Sequence, residues 1–248
     1  MKTLFVCFMA LTLLTGCQTA LESIRADLEE AWPFKRQEVI ERVEPEFKFR
    51  TISLGSPVFI RIFKKPAVLE FWIQEDGSER YALYKKFPIC KYSGDLGPKL
   101  YEGDKQSPEG FYQVSSQSMN PNSQYYLSFN IGFPNKYDQS LGRTGSLIMV
   151  HGGCESIGCY AMTDAVIEEI YTIVDLAHSN GQQAVPVHIF PFPMTKTNIM
   201  AQGTTPWRPF WQNLKTGYDY FEMTKRPPEV FFENGRYLFG ANSKILND

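Results

Sequence analysis

The chain has 248 residues, 43% of them hydrophobic and 21% charged, with a formal net charge of -2. That length suits one domain of ordinary core size with extensions, or at most two small domains. The 25 basic and 27 acidic residues are scattered along the chain, which gives no basic footprint for nucleic acid. Aromatic residues make up 15%. Tyr92, Tyr101, Tyr112, Tyr125, Tyr126 and Tyr137 fall in or beside expected loops. Such amphipathic rings suit a groove for a polar, extended polymer, although a partly buried core place is the commoner one for a tyrosine.

At the N-terminus Met1-Lys2 precedes an apolar run from Leu4 to Leu14, which ends in Leu14-Thr15-Gly16-Cys17. About a dozen apolar residues fall short of the roughly 20 that a bilayer span needs, so residues 1–16 read as a secretory signal. The cysteine after small residues resembles a bacterial lipobox. That resemblance implies that Cys17 becomes the first mature residue and carries a lipid. Gln18 stands where an aspartate would signal inner-membrane retention, which implies a periplasmic protein anchored to the outer membrane. The alternative is an ordinary cleaved signal with an incidental Cys17. Cys7 leaves with the signal in either case, and Cys90, Cys154 and Cys159 remain. In an oxidising compartment an odd count leaves one free thiol if the other two pair; three reduced thiols are the alternative.

Residues 17–47 are charge-rich with sparse apolar positions and read as a tether or a surface helix. From Pro57 the texture becomes β-like. Val58–Phe63, Leu69–Ile73 and Tyr81–Tyr84 are short strand candidates, with Asp76-Gly77 as the turn between the last two. Gly110–Val114, Tyr126–Ile131 and Leu147–Val150 continue the series. Strands this short and closely spaced predict an antiparallel sandwich or barrel. A helix follows, capped by Thr163 or Asp164, with Val166, Ile170, Ile173, Val174 and Ala177 on one face and Gly181 as its stop. Ala184 to Phe190 reads as a further strand. A helix around Pro209 to Leu214 and a hairpin turning at Asn234-Gly235 close the chain. The class is therefore mainly β with α (α+β). The expected division is a catalytic domain over 48–195 and a C-terminal extension over 196–248 packed on it.

Chemistry concentrates in one loop, His151-Gly152-Gly153-Cys154-Glu155-Ser156-Ile157-Gly158-Cys159, which leaves the apolar run Leu147–Val150. A base, two thiols and three glycines are what a cysteine acyl-transfer site needs. The thiolate attacks, the imidazole generates it and later protonates a leaving amine, and glycine lets main-chain N–H groups face an oxyanion. His178 and His188 lie at a helix end and on a strand, where surface or core roles are expected. No metal-ligand spacing and no cofactor-binding glycine pattern occurs.

His151-Gly152 with Ser156-Ile157-Gly158-Cys159 resembles the His-Gly … Ser-His-Gly-Cys signature of the YkuD-type L,D-transpeptidases. Ser107-Pro108-Glu109-Gly110-Phe111 resembles the Thr-Pro-x-Gly-x-Phe segment upstream of it. Order and separation agree, and the likeness spans roughly residues 55 to 192. Ile89–Gly94, Leu96–Lys99, Asn130–Asn135 and Gly158–Met162 are similar to the branch that includes a Gram-negative enzyme detaching an outer-membrane lipoprotein from peptidoglycan. The resemblance implies a β-sandwich-like catalytic domain that forms a thioester on Cys159 at the meso-diaminopimelate of peptidoglycan stem peptides. The thioester passes to an amine, to cross-link or remodel the wall, or to water, to release an attached lipoprotein. A wall-binding lipoprotein without catalysis is the alternative from another class.

Within this reading Cys159 is the expected nucleophile and His151 the base, with Cys154 paired to Cys90 or buried. The oxyanion and positioning groups are Gly158, Tyr160, Ser156 and Gly152. Lys91, Tyr92, Lys99 and Glu109 are candidates for the zwitterionic substrate centre. Two positions depart from the family signature. Ile157 stands where typical members carry a second histidine, and Ala161 where they carry an arginine that could fork a carboxylate.

Overall fold

The computed structural model describes residues 34–240. The signal segment, Cys17, the first part of the expected tether and residues 241–248 lie outside the described residues. The chain divides into two compact units, residues 1–42 and 43–248. A helix runs over Arg36–Phe47.

The larger unit is built on two sheets. β1 (Val58–Phe63), β2 (Val68–Gln74), β3 (Tyr81–Pro88), β4 (Gly110–Ser115) and β9 (Ala184–Phe190) form one sheet, in the order β3-β2-β1-β9-β4. β5 (Met119–Ser123), β6 (Tyr126–Asn130), β7 (Met149–His151) and β8 (Tyr160–Ala161) form the second, in sequence order. A separate hairpin joins β10 (Val230–Glu233) and β11 (Arg236–Phe239). At its turn Asn234 and Gly235 both take positive φ, the geometry that a two-residue hairpin demands. The class is α+β, as the alternation of short apolar runs and one amphipathic helix dictates.

The sheets are mixed, which corrects the antiparallel expectation. β9 runs parallel to β1, Ile60 opposite Val187, and β8 runs parallel to β7, Val150 opposite Tyr160. Parallel neighbours need a crossover. The helix Asp164–Ser179 lies between β8 and β9 in the chain and packs against β1, β6 and β7. It leads the chain out of the second sheet and back beside β1. The remaining helix of size, Arg208–Thr224, extends well past the expected Pro209–Leu214. Phe221 packs on Phe59 and Trp72, and Tyr218 on Phe63 and Phe190. Arg61 of β1 ion-pairs with Glu70 at 2.7 Å and reaches Glu222 of that helix at 2.6 Å. Apolar burial thus places the helix on the sheet, and the charge pair sets where it sits along it.

A second ion pair lies deeper. Lys64, just after β1, meets Glu109, just before β4, at 3.2 Å, with neither side chain exposed to solvent. The Glu109 carboxylate also accepts from the Gly97 N–H at 2.6 Å and from the Trp211 indole at 2.8 Å. Lys64 donates to the carbonyls of Asp95 and Gly97. Removing one partner of such a pair strands the other charge without solvent. Lys64→Met should therefore destabilise the domain by about 3–5 kcal/mol, and the double variant Lys64→Met/Glu109→Gln should recover much of the loss. Urea unfolding monitored by tryptophan fluorescence measures both, and equal stability of the single and double variants would contradict the account.

Candidate active site

β7 and β8 carry the site. Their register sets Val150 opposite Tyr160 and His151 opposite Ala161. Both Val150 and Tyr160 are fully buried, so side chains of the alternate residues point to the other face. Extending the register one step backward sets Cys159 beside Met149. The Met149 N–H donates to the Cys159 Sγ at 3.4 Å, and the thiol reaches the Leu147 carbonyl at 3.6 Å. Met149 and His151 are two residues apart on one strand, about 7 Å along it. The register therefore puts Cys159 and His151 on one face of the β7–β8 pair.

His151 is buried, with its Nδ1 2.6 Å from the Gly152 carbonyl oxygen. A carbonyl only accepts, so Nδ1 carries the proton and Nε2 keeps its lone pair. The Tyr125 ring covers the imidazole at 4.5 Å between centroids. Burial pushes the His151 pKa down, against a smaller opposing effect from the Gly152 hydrogen bond. Burial likewise pushes the Cys159 thiol up, partly countered by the Met149 N–H and the Lys99 charge. Burial thus shifts both groups toward their neutral forms.

The loop between them is fixed at several points. Asp164 Oδ1 accepts from the Gly153 N–H at 2.8 Å. That contact takes the side chain expected to cap its own helix, and the N-cap is Thr163, without a side-chain bond. A Cβ on Gly152 would lie 2.6 Å from the same Asp164 oxygen and 2.9 Å from the Tyr125 carbonyl, so only glycine fits there. Cys154 is disulfide-bonded to Cys90, and Cys159 is the free thiol among the described residues. Cys90 and Lys91 donate their N–H groups to the Ala161 carbonyl, which joins this disulfide to the far side of β8.

The Cys159 carbonyl is held twice. The Ser156 hydroxyl donates to it at 2.8 Å and the Ser107 hydroxyl at 3.1 Å. Ser156 Oγ also accepts from the Gly158 N–H at 3.3 Å. Gly158 has φ +133°, a backbone shape that side-chain-bearing residues avoid. Tyr160 is buried and its hydroxyl donates to the Pro108 carbonyl at 2.7 Å. The upstream segment around Ser107-Pro108 is thus the wall on which the cysteine loop rests. Ser107, Tyr125 and Asp164 were not singled out as site residues from the sequence. Ser107 alone had a signal, its place in the paired motif; the other two come from loop and helix contacts with no spacing of their own.

The candidate substrate residues separate. The Lys99 ammonium is buried against Asp104 at 2.5 Å and the Tyr101 carbonyl at 3.0 Å, near enough to act on the Cys159 thiol. Lys91 is exposed and pairs with Glu155 of the loop at 2.5 Å. Tyr92 is half-buried, its ring stacked on Tyr160 at 6.3 Å. Glu109 lies inside the protein with its oxygens taken by Lys64, Gly97 and Trp211, which leaves it a structural part behind the loop. Ile157 is 77% exposed on the loop, and Ala161 is buried in β8. His188 is enclosed by Phe59 and Phe111, and burial with the nearby Arg61 pushes its pKa down to about 3. Among the described residues no group of three or more His, Cys, Asp or Glu is arranged to hold a metal ion.

Residues 62–189 match the family model described as the YkuD L,D-transpeptidase catalytic domain. YafK of Escherichia coli strain K12, a protein assigned as an L,D-transpeptidase, is 49% identical over 191 residues, 77% of this chain and 77% of its own. Among solved structures, a point mutant of the helical cell shape determining protein Pgp2 from Campylobacter jejuni aligns with 75% of this chain and 63% of its own, at 21% identity and a TM-score of 0.45. Bd1075 of Bdellovibrio bacteriovorus aligns with 72% of this chain and 78% of its own, at 19% identity and a TM-score of 0.39. The matched segment contains β4, the Ser107–Phe111 wall, His151 and Cys159, and with that extent and identity the chain belongs to the YkuD family of L,D-transpeptidase catalytic domains.

Proposed function

We propose that the protein is an exported peptidoglycan-modifying acyl-transfer enzyme with Cys159 as nucleophile and His151 as general base. The observation that carries this reading is the free thiol on the same face of β7–β8 as a buried imidazole whose Nδ1 proton is fixed on the Gly152 carbonyl. His151 Nε2 takes the thiol proton as sulfur attacks the carbonyl at the meso-diaminopimelate centre of a stem peptide. The C–N bond then breaks, the leaving amine takes that proton from the imidazolium, and a thioester remains on Cys159. Main-chain N–H groups of the 158–160 segment are the oxyanion donors in this reading; that of Gly158 would have to leave the Ser156 hydroxyl to serve. Lys99, whose charge acts on the Cys159 thiol, is the first choice for the substrate carboxylate. An amine attacking the thioester gives a new amide, which is transpeptidation.

A second reading is hydrolysis, in which water resolves the same thioester and frees a lipoprotein attached to the wall. The segments Ile89–Gly94 and Gly158–Met162, similar to the lipoprotein-detaching branch, favour it. Incubating the protein with sacculi that carry bound lipoprotein, and separately with tetrapeptide muropeptides, decides between them. Released lipoprotein without cross-linked dimers supports the hydrolase, dimers support the transpeptidase, and neither product leaves a wall-binding role.

Cys159→Ser should lose essentially all turnover, because an alcohol is a far weaker acid and nucleophile than a thiol. Cys154→Ala should keep turnover, lowered only as far as the freed loop wanders. Intact-protein mass after exposure to muropeptide reads the acyl adduct directly. An adduct on Cys159→Ser, or its absence in a folded wild-type protein, would reverse the assignment.

The pKa directions set the pH profile. General-base attack needs neutral His151, and burial lowers its pKa, so activity persists below the ordinary histidine value of 6.5 and falls only as pH drops through the depressed one. Alkylation of Cys159 by iodoacetamide follows the thiolate, whose pKa is raised, so its rate should climb through the alkaline range. A fast, flat alkylation rate down to pH 5 would show a resting thiolate–imidazolium pair and contradict both directions.

The sequence-derived anchor at Cys17 belongs to the same proposal. Cys17→Ala should give a soluble or uncleaved form, and a native mature protein in the aqueous phase of a detergent partition, without acyl mass, would remove the anchor.

A further inference from the structure

The loop 92–96 and the C-terminal extension enclose a cleft of about 330 Å³. Trp207, Gln202 and Thr205 form one wall, and Tyr92, Asp95 and Lys65 the other. The first wall lies past residue 189, outside the family's catalytic domain, so this cleft is a feature of the chain's own extension. It is linked to the cysteine loop through its lining: the Tyr92 ring stacks on Tyr160, which follows Cys159, and the Ser93 N–H donates to the Ser107 hydroxyl that in turn holds the Cys159 carbonyl.

We infer that this cleft is a saccharide subsite that takes an N-acetylated amino sugar of the glycan strand. Its composition matches that ligand. Trp207 and Tyr92 are half-buried rings, amphipathic platforms for the C–H-rich face of a pyranose. Asp95 is exposed at the cleft with a carboxylate that accepts from sugar hydroxyls, and Lys65 is an exposed donor in the same lining. The two charges cancel, so the cleft is electrostatically suited to a neutral polar ligand. The Gln202 amide and the Thr205 hydroxyl supply the pairing groups for an acetamido substituent. The volume lies at the small end of ligand pockets, about 300–1,000 Å³, which fits a short saccharide. The floor is rigid, because the Trp211 indole is fixed on the buried Glu109 and Trp207 lies against Gly97, where an added Cβ would meet its ring nitrogen at 2.6 Å.

The inference extends the wall substrate proposed above but is tested without turnover. The full-length protein is titrated with tri-N-acetylchitotriose and, separately, with maltotriose and a free stem tetrapeptide, by calorimetry and tryptophan fluorescence. Saturable binding of the chitotriose alone, weakened about tenfold or more by Trp207→Ala and by Asp95→Asn, is expected. Thermal melting and iodoacetamide labelling of Cys159 show that the variants are folded, and Trp207→Phe, which keeps a ring, should retain part of the affinity. No saturation at millimolar chitotriose, or binding indifferent to both substitutions, overturns the subsite. So does tetrapeptide binding that the same substitutions abolish. A Cys159 adduct formed from muropeptide by a protein that binds no chitotriose would remove this inference and keep the acyl-transfer reading; sugar binding without an adduct would do the opposite.

Discussion

A carboxylate enclosed by protein has to be neutralised where it sits, and Glu109 is the group around which the larger unit is arranged. Its partners come from three parts of the chain, Lys64 after β1, the Gly97 N–H in the loop before β4 and Trp211 in the late helix, while Glu109 itself sits just before β4. Each partner satisfies part of the desolvation cost, and none can leave without exposing the rest to an apolar surrounding. Burial alone lowers the Lys64 pKa, while the Glu109 charge opposes that shift. The cysteine loop leans on this cluster, since Pro108, one residue before Glu109, accepts the hydroxyl of buried Tyr160. The late helix, remote in sequence from the thiol, is thereby one side chain removed from the wall behind it.

On that wall the two groups of the site are each held by their own contacts. The thiol rests on Met149 and Leu147, and the imidazole on Gly152 and Tyr125. Both are burdened by burial toward their neutral forms. In the proposed mechanism the proton moves as a substrate carbonyl is bound, when catalytic hydrogen bonds tighten. The Cys90–Cys154 bond, the Asp164 contact to Gly153 and the two serines on the Cys159 carbonyl all limit backbone motion around the two groups. The two side chains are left as the parts that adjust.

The sequence was most legible where a local pattern is obligatory. The runs at β1, β2, β9 and the terminal hairpin announce themselves by alternation and by Asp-Gly or Asn-Gly turns, and the long helix after the loop by its apolar face. β5 and β8 escaped notice. Met119-Asn120-Pro121-Asn122-Ser123 has the composition of a turn, and its pairing with β6 is imposed by the neighbour; β8 is two residues long. The parallel pairs were also hidden, because strand direction depends on where the crossover helix packs and leaves no mark in the strand itself. For the site, the cysteine loop and its upstream segment were readable as motifs. Glu109 stood among the candidate substrate groups because an acid suits the ammonium of a zwitterionic centre, whereas the indole and the ammonium that bury it lie 102 residues after it and 45 before.

The two departures from the family signature differ in physical meaning. Ile157 is an exposed side chain on the loop, so a histidine would fit there without disturbing anything it touches. Ala161 is fully buried, its N–H and carbonyl bonded to the Cys90–Lys91 edge. An arginine there would carry its side chain on the face of β8 shared by Cys159 and His151, and its buried charge would need a partner. A substrate carboxylate therefore has to meet a cation from elsewhere, and Lys99 is already fixed by Asp104 close to the sulfur. That exchange ties carboxylate recognition to the loop 99–104 rather than to β8. It frees the far side of β8, where Lys91 and Tyr92 lead toward the cleft walled by Trp207. In the proposed reading, the charged centre of a wall fragment is the part that Lys99 recognises, and its neutral, polar part is the one that the cleft takes.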